Sequence, residues 1–259
     1  MSTDTGVVRL DRRDAVATIT LDRPGARNAL TWAMYEELDR ALDRVGAEPD
    51  VRVVVVRGAG GNFAAGTDIS QFAAFTSGDD GVDYERRLEA VLTKLESLPA
   101  TSIAAVEGYA AGFGLALAAA CDLRIASPNA QFGVPIARTI GNCLSMGNYA
   151  RLVASLGAAR TKAMLLTAEF MSADEARATG FVVRVLEPHA FARELDLLCA
   201  RLVTHAPLTL QVTREAVRRI VSRSVADGDD LLRRVYGSGD FREGVAAFVE
   251  KRKPRWEGR

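Results

Sequence analysis

One stretch of the chain, residues 101–122, turns a predicted strand directly into a predicted helix. Its first six residues are small, β-branched or apolar, and the residues after Gly114 are an unbroken run of strong helix formers. Glycines lie between the two halves, where the backbone must turn tightly or approach another segment closely. The first N–H groups of such a helix have no partner inside it, and partial positive charge collects around them. The turn is therefore expected to face a substrate oxygen that becomes negative during reaction.

A second turn of the same kind lies about fifty residues earlier. The run at 51–57 is mostly valine, which is typical of a strand covered on both faces, and a loop rich in glycine and alanine follows at 58–68. Strand, glycine-rich loop and helix start thus occur twice, at 51–75 and 101–120. We interpret them as two structural repeats, each of which brings a loop with free N–H groups toward one place.

The rest of the sequence predicts an α/β core followed by a smaller helical region. Amphipathic patterns predict helices at 31–46 and 84–98, and the polar segment 77–83 between the repeats is predicted as a flexible loop. No low-complexity linker divides the chain. We place the core at 1–200 and the helical region at 201–259.

Composition argues against several classes of protein. The formal net charge is zero, so nothing electrostatic favours nucleic acid or an anionic membrane as a partner. The three cysteines are widely spaced, which fits a reducing compartment, and two histidines are too few for a histidine-rich metal site. Every apolar run is shorter than the roughly 20 residues that span a bilayer, and the polar N-terminus does not resemble a signal peptide. We expect a cytoplasmic protein without a metal site.

Two generic motifs of functional sites are incomplete in this chain. Gly112-Phe-Gly114 follows a strand as a dinucleotide fingerprint does, but the third small-residue position is Leu117 and no suitable acid follows. The segment from Cys143 to Gly147 lacks the first glycine of a nucleophile elbow.

Five other motifs occur in the order and spacing of one known family. They are Ala26-Arg-Asn28-Ala-Leu30, Phe63-Ala-Ala-Gly66-Thr-Asp68-Ile, Gly108-Tyr-Ala-Ala-Gly112-Phe-Gly114, Ala120-Cys-Asp122 and Phe132-Gly-Val-Pro135. Together they resemble the crotonase family, which comprises the enoyl-CoA hydratases and isomerases. The resemblance implies a crotonase-like spiral of ββα repeats with a C-terminal helical trimerisation region, and hence a homotrimer or a dimer of trimers.

The same resemblance implies a coenzyme A thioester as the substrate, and no cofactor beyond its coenzyme A moiety. Two backbone N–H groups would hold the thioester oxygen as an enolate, and the matching positions here are Thr67 and Phe113. The alternative is that the glycines around them only permit close packing.

Contacts to coenzyme A are implied at both ends of the chain. Ala26, Ala64 and Ala65 would lie on the adenine side of the site, and Phe248 and Lys251 would meet the nucleotide end, often from a neighbouring subunit. A solvated basic tail is the alternative for the last two.

The chain departs from the hydratase pattern at two positions. A hydratase of this family adds water with two glutamates, and the corresponding residues here are Ala116 and Ile136. Ile136 also removes the single carboxylate that a Δ3,Δ2-isomerase would use. Losing one positioned general acid or base typically slows a reaction by about 10²–10⁴-fold. Efficient hydration is therefore not expected, and a divergent acyl-CoA reaction of the lyase or isomerase class is favoured.

Two polar residues are candidates to replace the missing acids. Asn142 could donate a hydrogen bond to the substrate, and Cys143 could act as a weak acid or nucleophile if a helix N-terminus lowered its pKa. Their alternatives are a helix N-cap and a small core residue. Glu107 is the acid nearest the second loop, but strand alternation is expected to turn it away, and Asp68 is predicted to cap a helix. A catalytically silent acyl-CoA-binding protein, which kept the pocket and lost the chemistry, is the rival hypothesis.

Overall fold

The computed structural model describes residues 5–222 and 228–257, and strands and helices alternate through these ranges. Strands β1 to β9 span Val7–Arg13, Val16–Asp22, Val53–Gly58, Thr101–Val106, Tyr109–Ala111, Leu123–Ala126, Gln131–Gly133, Met171–Ser172 and Arg184–Val185. Helices α1 to α9 span Trp32–Gly46, Gly78–Ser97, Phe113–Ala120, Met146–Thr167, Ala173–Ala178, Pro188–Thr204, Pro207–Ser222, Asp229–Tyr236 and Gly239–Val249. Short 3₁₀ turns lie at Pro24–Ala26, Ile69–Ala74 and Pro135–Ala137.

The strands form one six-stranded sheet, in the order β1-β2-β3-β4-β6-β9, and a three-stranded sheet, β5-β7-β8. In the large sheet only the β1–β2 hairpin is antiparallel. Helices cover both faces of β3 and β4, which explains why their side chains are buried throughout apart from Arg57.

The two faces of the large sheet contribute to separate apolar clusters. Side chains of α1, α2 and α3 pack on one face, and α6 covers the other. Leu195 and Leu202 of α6 belong to the same cluster as Val53 and Ile103 of the sheet. Residue 200, where the sequence suggested that the helical region begins, lies within α6. The division at that residue stays a prediction.

Helix α2 begins two turns earlier than the sequence predicted. The segment 77–83 is the start of a helix and not a flexible loop, because Ser77 and Asp80 form a capping box that satisfies the first N–H groups of α2. Helix α3 likewise begins at Phe113, before the run of strong helix formers. The helix predicted at 31–46 is confirmed as α1, with Thr31 as its N-cap. In the part of the chain that the structure describes, no helix is long and apolar enough to cross a membrane.

Candidate active site

The two glycine-rich loops lie side by side, as their repeated pattern predicts. The Ala64 N–H donates to the Tyr109 carbonyl, and the Ala111 N–H donates to the Ala64 carbonyl, each at 2.9 Å. These bonds form a parallel β-bridge between the first loop and β5. Gly114 permits the contact, because a Cβ there would lie 2.2 Å from the Ala64 carbonyl oxygen.

A glycine precedes each predicted donor, in a conformation that residues with a Cβ rarely adopt. Gly66 has φ +104°, and Gly112 has φ +53° with ψ −120°. A Cβ on Gly66 would lie 3.7 Å from the Gly112 Cα, so the two turns lie side by side. The backbone therefore turns sharply at two adjacent places immediately before Thr67 and Phe113.

The N–H groups of Thr67 and Phe113 are left without an acceptor among the described residues. Leu30 bonds the residues on either side of Thr67, since its N–H donates to the Gly66 carbonyl and its carbonyl accepts from the Asp68 N–H, each at 2.8 Å. Phe113 is the first residue of α3, where no intrahelical acceptor exists. Two free donors thus lie at adjoining turns.

Both donor residues line one cavity of about 90 Å³. Ala65, Ala116, Ile136 and Asn142 line it as well, so the structure brings together six of the positions that the sequence singled out. The other polar side chains in its wall are Tyr84, Glu85, Thr139 and Asn148. No lysine, arginine or histidine belongs to this wall, all of which comes from described residues. Two larger clefts elsewhere on the chain include neither Thr67 nor Phe113.

A cluster of three hydroxyl groups fixes Thr67. Its Oγ1 lies 2.6 Å from the Tyr35 hydroxyl and 2.7 Å from the Tyr84 hydroxyl. The Tyr35 ring also packs edge-on against Phe113, with ring centroids 4.8 Å apart. Burial raises the pKa of both tyrosines, so they remain neutral phenols. One buried cluster therefore holds the residues of both donors.

Glu85 is a buried acid in the cavity wall that the sequence analysis missed. Its Oε1 accepts from the Tyr236 hydroxyl and its Oε2 from the Ser145 N–H, each at 2.9 Å. Burial raises the pKa of Glu85 to about 7, although these hydrogen bonds act in the opposite direction. A signal was present in the sequence, because Glu85 shares the apolar face of α2 with Leu88 and Leu92, where a charged residue is unusual.

Asn142 lines the cavity beside this acid. Its Nδ2 donates to the Tyr236 hydroxyl at 3.0 Å, and its Oδ1 is buried without a partner among the described residues. The alternative role as an N-cap of α4 is wrong, because Ser145 caps that helix by accepting from the Asn148 N–H. Asn142 therefore has a free acceptor inside the candidate site.

Cys143 does not meet the condition on which its catalytic role depended. Its thiol lies outside the cavity wall, 3.8 Å from the Leu231 carbonyl oxygen, and it precedes the cap of α4 at Ser145. Burial raises the pKa of the thiol to about 12, where a helix N-terminus would have lowered it. The thiol is therefore protonated at neutral pH, and the expectation of an activated Cys143 is wrong.

Two acids near the loops have other partners. Glu107 forms an ion pair with Arg57 at 3.7 Å and lies outside the cavity wall. Asp68 caps the 3₁₀ turn that follows it by accepting from the Ser70 N–H at 3.1 Å, and it pairs with Arg23 at 2.7 Å. The predicted capping role of Asp68 is confirmed.

The residues predicted to contact coenzyme A are less closely grouped. Ala65 lines the cavity, and Ala26 is half-buried in the neighbouring loop. Ala64 is fully buried, and its N–H and carbonyl are both bonded to the β5 region. Phe248 and Lys251 lie in the last turn of α9 and just beyond it, on exposed surface outside the cavity wall. Their contact with a nucleotide stays a prediction.

Known proteins match this chain over nearly its whole length. The profile of the enoyl-CoA hydratase/isomerase family matches residues 11–259. A probable enoyl-CoA hydratase of Mycobacterium tuberculosis is 34% identical over 263 residues, covering 100% of both chains. The 2,3-dehydroadipyl-CoA hydratase of Escherichia coli is 34% identical over 259 residues, covering 96% of this chain and 98% of that protein.

Solved structures agree with the sequence relatives. An enoyl-CoA hydratase/carnithine racemase from Magnetospirillum magneticum superimposes with a TM-score of 0.80 at 33% identity, covering 100% of this chain and 97% of the other. A methylmalonyl-CoA decarboxylase in complex with 2-nitronate-propionyl-CoA gives a TM-score of 0.88 at 26% identity, covering 97% and 98%. The chain therefore belongs to the enoyl-CoA hydratase/isomerase family, and its α/β structure has the crotonase fold that its sequence motifs predict.

Proposed function

We propose that this chain is an acyl-CoA enzyme that holds the oxygen of a thioester enolate between the N–H groups of Thr67 and Phe113. The observation that carries the proposal is the pair of unpaired donors at adjoining turns of one cavity wall. Removing a single donor of this kind costs about 2.7–4 kcal/mol in comparable sites. Relatives named as hydratases of acyl-CoA substrates support a coenzyme A thioester as the ligand.

The reaction that we propose is not hydration. Ala116 and Ile136 line the cavity where a hydratase would place its two glutamates, and neither side chain can move a proton. The donors alone still favour any reaction that passes through an enolate. The chemistry supported best is therefore formation of an enolate followed by return of a proton to carbon.

Decarboxylation is a second candidate, favoured by the composition of the cavity wall. The wall is mainly apolar and contains no basic residue to retain a carboxylate. The likeness to methylmalonyl-CoA decarboxylase points the same way. A carboxylate on the α-carbon would lose hydration here; its C–C bond would break with release of CO₂, and the electron pair would form the enolate. A proton taken up at the α-carbon would complete the reaction.

A small panel of thioesters in D₂O tests these proposals. Butyryl-CoA reports enolate formation through deuterium at its α-carbon, crotonyl-CoA reports hydration, and methylmalonyl-CoA reports decarboxylation. We expect α-exchange or decarboxylation without efficient hydration. Hydration at the rate of an efficient hydratase would contradict our interpretation of Ala116 and Ile136. Binding of all three thioesters without any turnover would favour the silent acyl-CoA-binding protein.

A further inference from the structure

We propose that Glu85 is the acid–base residue of this site, and that it exchanges a proton with the α-carbon of a thioester bound in the cavity. The inference rests on the proposed function, because it supplies the proton transfer that Ala116 and Ile136 cannot perform. Glu85 comes from α2, a different element from those that carry the two empty glutamate positions. Glu85 lines the same cavity as the donor residues Thr67 and Phe113.

The carboxyl group is held from two sides. The Ser145 N–H, at the cap of α4, fixes Oε2, and the Tyr236 hydroxyl, at the end of α8, fixes Oε1. Tyr236 is in turn held by Asn142, whose Nδ2 donates to its oxygen at 3.0 Å. Two segments far from α2 in the sequence, at 142–145 and at Tyr236, thus converge on one carboxyl group, which is the arrangement that a positioned acid or base requires.

The hydrogen bonds around Glu85 accommodate both of its protonation states. When Glu85 is ionised, the Tyr236 hydroxyl donates to its Oε1. When Glu85 is neutral, its own O–H can donate to Tyr236, whose hydroxyl then turns toward the Cys143 carbonyl oxygen, 3.4 Å away. Asn142 donates to the Tyr236 oxygen in both cases. The carboxyl group can therefore gain and lose a proton without leaving a buried polar group unpaired.

The groups around Glu85 suit proton transfer near neutral pH. The titratable side chains that interact electrostatically with it are Tyr35 of α1, Tyr84 and Glu89 of α2, Cys143, Tyr149 of α4 and Tyr236 of α8. Glu89 is the other carboxylate among them, and it is paired with Arg151 at 2.6 Å. Burial in this largely uncharged setting raises the pKa of Glu85 to about 7, where an acid or base is most effective at neutral pH.

A second observation is that the cavity wall holds a hydrogen-bond acceptor with no protein partner among the described residues. The Oδ1 of Asn142 is buried in the cavity wall and has no donor among the described residues. A native structure rarely leaves such an atom unsatisfied. A water molecule or a substrate hydroxyl would satisfy it, and a water there would also connect the carboxyl group to solvent for proton exchange.

The proposed step balances without any other reactant. The Glu85 carboxylate takes a proton from the α-carbon, and the C–H electron pair forms the double bond between the α-carbon and the thioester carbon. The electrons of the C=O double bond move to the oxygen, where the N–H groups of Thr67 and Phe113 stabilise them. Glu85 exchanges its proton with solvent and returns one to the α-carbon, so the net change in D₂O is replacement of hydrogen by deuterium.

Glu85→Gln tests this step, and Glu107→Gln is the matched control. We expect the first substitution to slow α-exchange of butyryl-CoA by about 10²-fold or more, as loss of a positioned base does. The second should leave exchange unchanged, because Glu107 lies outside the cavity wall. The kcat/KM for exchange should rise with pH through about 7 in the unsubstituted protein. That rise should be absent from Glu85→Gln.

Tyr236→Phe separates positioning from chemistry. The Tyr236 hydrogen bond lowers the pKa of Glu85, so its loss should move the pH profile of kcat/KM to higher pH while exchange persists. A merely structural role would lower the rate without moving the profile.

Acetoacetyl-CoA distinguishes a failure of the Glu85 proposal from a failure of the proposed function. Its binding is monitored through the near-ultraviolet absorbance of its enolate. If Glu85→Gln exchanges hydrogen at the unsubstituted rate and still stabilises the enolate, Glu85 is not the base and the proposed function stands. If neither protein stabilises the enolate, the proposed function itself is wrong. Thermal unfolding of each variant shows that it is folded, and Gln can keep the hydrogen bond from Ser145.

Discussion

At the scale of single residues, the environment of Glu85 has a cost that should be measurable without a substrate. The side chain is 2% exposed and lies among tyrosines and apolar residues, so ionisation is unfavourable in the folded chain. A carboxyl group kept in such a place destabilises the fold at any pH at which the unfolded chain would ionise it. Stability is therefore expected to depend on pH through this residue.

Glu85→Gln removes that dependence. Burial raises the pKa of Glu85 from 4.5 to about 7, so below pH 4.5 the group is neutral in both the folded and the unfolded chain. Between pH 4.5 and about 7 the unfolded chain ionises this group while the folded chain keeps it protonated, so the unsubstituted protein should lose about 3 kcal/mol relative to Glu85→Gln over this range, and the loss should level off above pH 7. Urea unfolding of both proteins at pH 4.5 and above pH 7 checks this, and a constant difference between them across that range would show that the environment of Glu85 is not as described.

Sequence and structure agree unevenly at this scale, for a physical reason. The positions of Thr67 and Phe113 follow from local patterns, because a glycine before a helix start determines where a free N–H group lies. The role of Glu85 depends on Ser145 and Tyr236, which lie 60 and 151 residues away in the chain. No local pattern indicates such a meeting. The same reason explains the error on Cys143, whose surroundings come from α8 and not from a helix terminus.

At the scale of elements, the site depends on two glycine turns that lie against each other. The strand, loop and helix order of both repeats was predictable because valine runs, glycines and helix formers are each local signals. The first two turns of α2 were not predictable in this way, because a polar segment resembles a loop unless its capping box is recognised. Both turns should fail if either glycine gains a side chain.

Gly112→Ala tests the turn before Phe113, with Gly180→Ala as the control. Both glycines have positive φ, +53° and +80° respectively. Strain of this kind costs about 1–3 kcal/mol, so both variants should be less stable than the unsubstituted protein. Gly180 faces open space away from the cavity wall, so only Gly112→Ala should also lose binding of the acetoacetyl-CoA enolate. Titration of each variant with acetoacetyl-CoA measures enolate binding, and a thermal melt measures stability, so the two effects are separated. Equal enolate binding by both would mean that the Gly112 turn does not shape the site.

At the scale of the whole molecule, α7 lacks the buried face that a surface helix normally has. The structure describes every residue of α7, and none is buried within one protomer. Leu208, Val212 and Ile220 are spaced four and eight residues apart on its outer face and are 73%, 66% and 70% exposed. An apolar helix stripe of this kind is typical of an interface between subunits.

We expect this stripe to belong to the trimer that the resemblance to the crotonase family implies, with a second copy of the chain as its partner. Val212→Arg and Ile220→Glu should then reduce the assembly to smaller species, because a charge would be buried without a partner. Light scattering after size-exclusion chromatography gives the mass. Leu166→Glu on α4, where the leucine is 79% exposed, is the control and should leave the mass unchanged. A monomeric unsubstituted protein would contradict this expectation.

The central claim is that Thr67 and Phe113 hold a thioester enolate, and the ionisation of bound acetoacetyl-CoA tests it most directly. The apparent pKa of its α-carbon, read from enolate absorbance against pH, is compared on the protein and in water. Two donors of the usual strength predict a decrease of about two units or more on the protein. An unchanged pKa for a ligand that is fully bound would show that these N–H groups do not form the proposed site.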